Sequence, residues 1–533
     1  AFVIAAASKR RQRSIKPVET VHGPPGLEGD STMLRLNRKT LRPTLLLAPL
    51  LACAAAMSGP AVLAGPVSPA LPDTEAGRIG AAMIAHINSD TPEKIGEWAP
   101  TILSTAFEPA AKEAILSQIA IAVRDSGGVD LVDARTQGPP GMLVAMIKGR
   151  RTGQMVALVL LPDREQPGKL AMLDMVPVND PALFADWPKA AASQAEIARL
   201  TTATLDKLVL NNDFSGCVTV SDGAKTMFEE CRGLAERRFN VPVDHQTKFH
   251  IGSMNKMFTA IGIAQLVEAG KLSWEDTLAL RVPEYPDQAS AEKITVWQLL
   301  HHTSGLGDFL VPELYERREN FVDPEDYLGL IARQPKVGEP GAEWSYSNAG
   351  FMLLGRIIEN VSGEGYSDYI QRHVFAPAGM TASGYDRVDD IVPGLAVGYY
   401  REGPFSTVWK SDWLKVPYAG GPAGGGYSTN ADLVRFSEAL RGGKLVKPAT
   451  LAKMFADPVP AGPGGYAAGF GDRLSHGRHI RGHAGGLEGT DANLAIVWET
   501  GATVALTSNQ GPGQSWLFAE RIADLLASIG QKH

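Results

Sequence analysis

Phe249-His250-Ile251-Gly252-Ser253-Met254-Asn255-Lys256-Met257-Phe258-Thr259-Ala260 opens an apolar run that continues through Ile261, Ile263, Leu266 and Val267 and stops at Gly270. Such a run, closed by glycine, predicts a buried helix. Ser253 stands at its N-terminus and Lys256 one turn later, and an i, i+3 spacing puts both side chains on one face. A lysine turned into the protein is costly unless it is partnered or neutralised. That cost suits chemistry, because a desolvated amine can deprotonate a neighbouring hydroxyl. The helix N-terminus adds backbone N–H groups where an oxyanion would develop. Ser-x-x-Lys alone is a weak signal, since a chain of 533 residues is long enough to hold one by chance.

Two distant stretches strengthen it. Tyr346-Ser347-Asn348 precedes the apolar helical segment Phe351–Ile358. A phenol beside the Lys256 ammonium would ionise more easily than an ordinary tyrosine and act as general base. Asn348 offers a carbonyl and an amide to orient the lysine or a substrate. Arg481-Gly482-His483-Ala484-Gly485-Gly486 reads as a strand, in which Arg481, His483 and Gly485 share a face. Its glycines admit a ligand close to the backbone, and the N–H groups of Ser253 and Gly486 are candidate oxyanion donors. Taken singly, each piece also fits an ordinary helix start, a turn tyrosine or a glycine-rich edge strand.

Taken together and in this order, Ser253-Met254-Asn255-Lys256, Tyr346-Ser347-Asn348 and His483-Ala484-Gly485 resemble the serine β-lactamase and penicillin-binding-protein superfamily, in its class C β-lactamase-like branch. Leu299-Leu300-His301-His302-Thr303-Ser304-Gly305-Leu306 and Gly424-Gly425-Gly426-Tyr427-Ser428-Thr429 add to the likeness, which covers residues 195–530. The resemblance implies an α/β fold: an antiparallel sheet flanked by helices, with an all-helical region inserted between its strands and Ser253 on the cleft floor. It implies acyl transfer. Ser253 attacks an ester or amide carbonyl, Lys256 and Tyr346 take its proton, and Tyr346, with His483 as a candidate helper, protonates the leaving group.

One position departs from the family's lactamases: His483 stands where they carry the lysine of Lys-Thr-Gly. Imidazole is mostly uncharged at neutral pH and anchors a substrate carboxylate less well. Histidine here resembles the superfamily's esterases and D-amino-acid peptidases, although Arg481 is a candidate to restore a cation. An esterase-like hydrolase is the leading expectation. D-peptidase or carboxypeptidase, β-lactamase, and a penicillin-binding sensor that acylates without turnover are the alternatives. No cofactor is implied, and adjacent His301 and His302 lack the spacing of metal ligands. The expected partner is a small ester, amide or peptide.

Further out, the pattern is that of an exported protein. Residues 1–32 show no regular period and read as an upstream, non-native segment. From Met33 a basic stretch (Arg35, Arg38, Lys39, Arg42) leads into an apolar run, with small residues closing at Ala64. This is the layout of a signal peptide over 33–64, and it implies a periplasmic or secreted protein. A retained membrane anchor, or lipidation at Cys53, are the other readings of the same segment. Residues 74–180 predict a small α+β domain of two helices and four strands, with a loose likeness to cystatin-like or nuclear-transport-factor-like modules and no catalytic cluster. Cys217 and Cys231 fall on the arms of a hairpin turning at Asp222-Gly223, either as a bridge or as two small buried residues. A formal net charge of −7 argues against nucleic acid as the main partner.

Overall fold

The computed structural model describes residues 70–530, apart from 106, 108, 137, 138, 179, 192 and 514. The signal-peptide and lipidation expectations lie outside the described residues. The first helix, α1 (Glu75–Ser89), starts where Thr74 accepts from the Gly77 amide, and it buries Ile79, Met83 and Ile87. A helix the sequence pattern did not reveal follows, α2 (Pro92–Ile102), capped by Thr91 and opened by proline. It is eleven residues long with only Ile95, Ala99 and Ile102 inward, too short a stripe to stand out. After α3 (Pro109–Ser126) come β1 (Val129–Thr136), β2 (Leu143–Gly149), β3 (Met155–Pro162) and β4 (Leu170–Val178), an antiparallel meander in sequential order. The helices cover one face of this sheet and share a core with it.

The rest of the chain is built on one eight-stranded antiparallel sheet. The helix α4 (Gln194–Leu210) leads to the hairpin β5 (Gly216–Asp222) and β6 (Lys225–Arg232). The helical part follows, with α5 (Asn255–Glu268), α6 (Asn348–Ser362) and α7 (Asn430–Arg441) its longest helices. The chain then returns to the sheet as β7 (Val459–Ala461), β8 (Gly464–Ala467), β9 (Phe470–Ser475), β10 (Arg478–Leu487), β11 (Thr490–Val497) and β12 (Ala502–Ser508), and it finishes in α8 (Ser515–Ser528). Strand order is β7-β8-β9-β10-β11-β12-β5-β6, so the sheet joins the two ends of this unit through β12 and β5. β11 and β12 are buried along their whole length because helices cover both faces. α4 and α8 pack on one face, together with Leu183 and Trp187 from the connector. The other face carries α5, α6, α7 and the larger core.

The inserted region is not wholly helical. Tyr399–Arg401 pairs with Trp409–Ser411, and the loop between them reaches into the small domain. Phe405 is buried in that domain's core, and a Cβ added at Gly149 would lie 2.6 Å from its ring. Glu402 meets Arg124 at 2.9 Å, and Arg401 meets Asp213 at 2.7 Å.

Cys217 and Cys231 are bridged, with Cα atoms 4.1 Å apart. The register depends on an irregularity in the hairpin. Asp222 pairs with Lys225 across Gly223-Ala224, with Gly223 at φ +57°. That two-residue turn alone would set Cys217 against Glu230. A register shift between Val220 and Ser221 brings Cys231 opposite instead.

Candidate active site

Gly252–Met254 forms one tight helical turn ahead of α5, with Gly252 at φ +51°. A side chain there would meet β10: its Cβ would lie 3.0 Å from the Gly486 nitrogen. A Cβ on Gly485 would fall 1.9 Å from the Ile251 carbonyl oxygen and 3.2 Å from the Ser253 nitrogen. Glycine on both sides is therefore what lets the strand and the serine turn touch, and the contact puts the Ser253 and Gly486 amides side by side. Two converging N–H groups at a helix start are a suitable oxyanion cradle.

Lys256 is fully buried and its amine has three neighbours. The Asn348 Oδ1 lies at 2.8 Å, the Ala423 carbonyl at 2.6 Å and the Ser253 Oγ at 3.1 Å. The first two are acceptors only, whereas a hydroxyl can also donate. An ammonium would donate to all three, and a neutral amine, with two N–H groups and one lone pair, fits the same set with the lone pair turned toward the Ser253 hydroxyl. Burial pulls the Lys256 pKa down to about 7, against the opposing charge of Asp308. Asp308 also fixes the asparagine: its Oδ2 accepts from Asn348 Nδ2 at 2.8 Å, which leaves Oδ1 for the lysine. Sequence reasoning missed Asp308, because no motif flags a lone aspartate after Gly307. It also missed Ala423, which acts only through its backbone. The glycine-rich loop after it closes the site from below, with Gly426 O accepting from the Ile251 amide at 2.8 Å.

Tyr346 corrects an expectation. Its ring lies 4.8 Å from the Lys256 amine, but burial raises the phenol's pKa above the ordinary tyrosine range; the Ser253 hydroxyl is the neighbour that opposes the rise. Among the described residues its hydroxyl has no hydrogen-bond partner of ordinary geometry. Desolvation penalises a phenolate more than this lysine can offset, particularly once the lysine is itself neutral. Burial therefore favours the protonated phenol at Tyr346, next to Ser253. The histidine pair is accounted for nearby. His301 Nδ1 bonds to the Trp297 carbonyl at 2.8 Å. His302 accepts from the Ser347 amide at 3.1 Å and lies under the Tyr346 ring at 4.4 Å. Burial holds His302 uncharged, so it serves as a platform for the phenol.

β10 brings His483 to the same place but not as a proton donor. Burial, then the charge of Lys256, pulls its pKa down to about 3. Its Nδ1 faces the Ala484 carbonyl at 2.5 Å, and its Nε2 faces the Tyr466 hydroxyl at 3.0 Å. A carbonyl only accepts, so Nδ1 carries the hydrogen and Nε2 accepts from Tyr466. No proton is left to hand to a leaving group. Arg481 requires a second correction. It lies on the same strand face, but Asp472 accepts from its Nε at 2.9 Å, and its guanidinium sits 4.3 Å from the Phe455 ring and 5.1 Å from that of Trp498. Paired and stacked in this way, it is not a free cation for a substrate carboxylate.

Comparison with known proteins identifies the family. Residues 203–528 match the Beta-lactamase family model. The chain is 32% identical over 268 residues to a putative penicillin-binding protein, PbpX, of Bacillus subtilis (strain 168), covering 50% of this chain and 64% of that protein's length. It is 27% identical to the esterase EstB of Burkholderia gladioli over 292 residues, 48% of this chain and 74% of the esterase. A crystal structure of a penicillin-binding protein from Bacillus halodurans superposes with a TM-score of 0.54 at 30% identity, covering 59% of this chain and 97% of that one.

Proposed function

The chain belongs to the Beta-lactamase family of serine hydrolases, and from that premise we propose that it hydrolyses esters or amides through an acyl-enzyme on Ser253, with esterase-like specificity. The observation that carries this reading is the buried Lys256 amine, 3.1 Å from the Ser253 oxygen and with its pKa near neutrality. At neutral pH a large fraction of Lys256 can accept the serine proton as Oγ attacks the carbonyl carbon. The oxyanion settles against the Ser253 and Gly486 N–H groups. As the intermediate collapses, the bond to the leaving group breaks and Tyr346 donates the proton it needs. The Lys256 ammonium then reloads the phenol. Water attacks the acyl-enzyme with the neutral amine again as base, returning Ser253 to its free form.

The absence of a free cation on this face of β10 favours esters over substrates that bring a carboxylate to it. The likeness to an esterase points the same way. We place the enzyme outside the cytoplasm, a reading supported by the Cys217–Cys231 bridge, since such bonds persist in oxidising compartments.

The test is turnover of 4-nitrophenyl butyrate, nitrocefin and a D-Ala-D-Ala peptide, combined with intact mass during turnover. The short ester should turn over fastest and a transient acyl adduct should map to Ser253. Ser253→Ala should lose both, and activity retained in that variant would refute the assignment. A stable adduct with no turnover would make the protein a sensor instead.

A further inference from the structure

The strand that carries the oxyanion glycine also determines which charges the cleft can accept. Two side chains on its inner face could in principle hold a substrate carboxylate, and both are already committed. Arg481 is neutralised by Asp472 and covered by Phe455 and Trp498. His483 has a partner at each nitrogen, the Ala484 carbonyl and the Tyr466 hydroxyl. Tyr466 is itself held: it is 6% exposed, its ring lies 4.5 Å from that of His302, and β8 anchors it through pairing with Val459 and Gly471. The groups facing His483 are Lys256, Tyr346, His302 and Tyr466, none of them an acid. A carboxylate arriving at His483 meets an Nε2 that accepts from Tyr466, while the one imidazole N–H is turned to the Ala484 carbonyl.

We propose that Tyr466 is a specificity-determining positioning residue: by occupying His483 Nε2 it closes the one position on β10 that could bind a carboxylate, so the enzyme takes substrates whose leaving group is uncharged. Removing the hydroxyl opens Nε2 to the cleft, where a carboxylate could pair with the imidazolium through a charge-assisted bond.

This inference rests on Ser253 being the acylated residue. The experiment uses the full chain and two probes whose leaving groups carry a free carboxylate or its methyl ester, hippuryl-phenyllactate and its methyl ester, and reads only the initial rate of hippurate release, so that cleavage of the methyl ester itself is not counted. The wild-type enzyme should prefer the methyl ester by about tenfold or more in kcat/KM, the scale of one charge-assisted contact. In Tyr466→Phe that preference should fall by about tenfold, mainly through a lower KM for the free acid. Nitrogen NMR of histidine-labelled protein reads His483 directly. The wild type should show the Nδ1–H tautomer throughout the neutral range, whereas the variant should bind a proton at Nε2 when the free acid is added.

An unchanged preference in Tyr466→Phe, or a wild type that cleaves acid and ester equally, overturns the proposal. So does a wild-type His483 that carries its proton at Nε2, a measurement that stands even if the variant fails to fold. A fluorophosphonate adduct on Ser253 separates the two layers. If it forms and the preference does not move, Tyr466 lacks this role. If it does not form, the nucleophile assignment fails as well.

Discussion

If a buried, neutral Lys256 is the base that activates Ser253, the pH dependence of kcat/KM follows the lysine. With a pKa of about 7, the amine is neutral in about a tenth of molecules at pH 6, about half at pH 7 and about nine-tenths at pH 8. kcat/KM for a neutral ester reports the free enzyme, so it should climb about tenfold between pH 6 and pH 8 and then level off. A solvated lysine, with its ordinary value of 10.5, would drive a rise that continues far into the alkaline range. Asp308 supplies an internal check. Its charge stabilises the ammonium, so Asp308→Asn should lower the Lys256 pKa and move the limb toward acid. The same change weakens the hold on Asn348, so the plateau should also fall, by about ten- to a hundredfold for a charged hydrogen bond worth about 1.5–3 kcal/mol. Lys256→Arg, whose guanidinium does not give up its proton, should cost about 10²–10⁴ in kcat. The same shift links to stability. Between about pH 7 and 10.5 an unfolded chain holds the lysine proton that the folded one has released, so this group's contribution to stability rises with pH across that window. The assay is the initial rate with 4-nitrophenyl butyrate, using Ser253→Ala to subtract spontaneous hydrolysis. A flat profile across the neutral range, or a limb that keeps climbing toward 10.5, would refute the neutral-lysine mechanism.

Two further outcomes follow from the packing. Gly485→Ala forces a Cβ to within 1.9 Å of the Ile251 carbonyl, so β10 must draw back from the serine turn; kcat should fall about 10²–10³-fold, the cost of one lost oxyanion donor, with labelling of Ser253 by fluorophosphonate slowed in step. Phe405→Ala empties a buried aromatic site between the two domains and should cost about 3–5 kcal/mol, read by chemical denaturation as an earlier transition of the small domain and by faster proteolysis within residues 180–193.

Much of the fold was legible because its signals are local. The α5 run, the Thr74 cap, the Asp222-Gly223 turn and the apolar strands at both ends each declare themselves within a dozen residues. The helix α2 did not, since three inward residues make no clear period. The hairpin at 399–411 did not either: its role is to hold Phe405 in another domain's core, a contact with no local pattern.

The sequence by itself sets Ser253 beside Lys256, because helical spacing fixes the pair wherever the helix lies, and the order of its motifs leads to the expectation that Tyr346 joins them. Which of them takes the proton in the proposed mechanism rests on tertiary structure alone. Protonation depends on what surrounds a group, and most of those neighbours are far away in sequence: burial lowers the lysine and raises the phenol, Asp308 aligns the asparagine, Tyr466 occupies the imidazole nitrogen of His483, and Asp472 pairs with Arg481. Solvent exclusion is a property of the assembled cleft, and no residue carries it in its own letter.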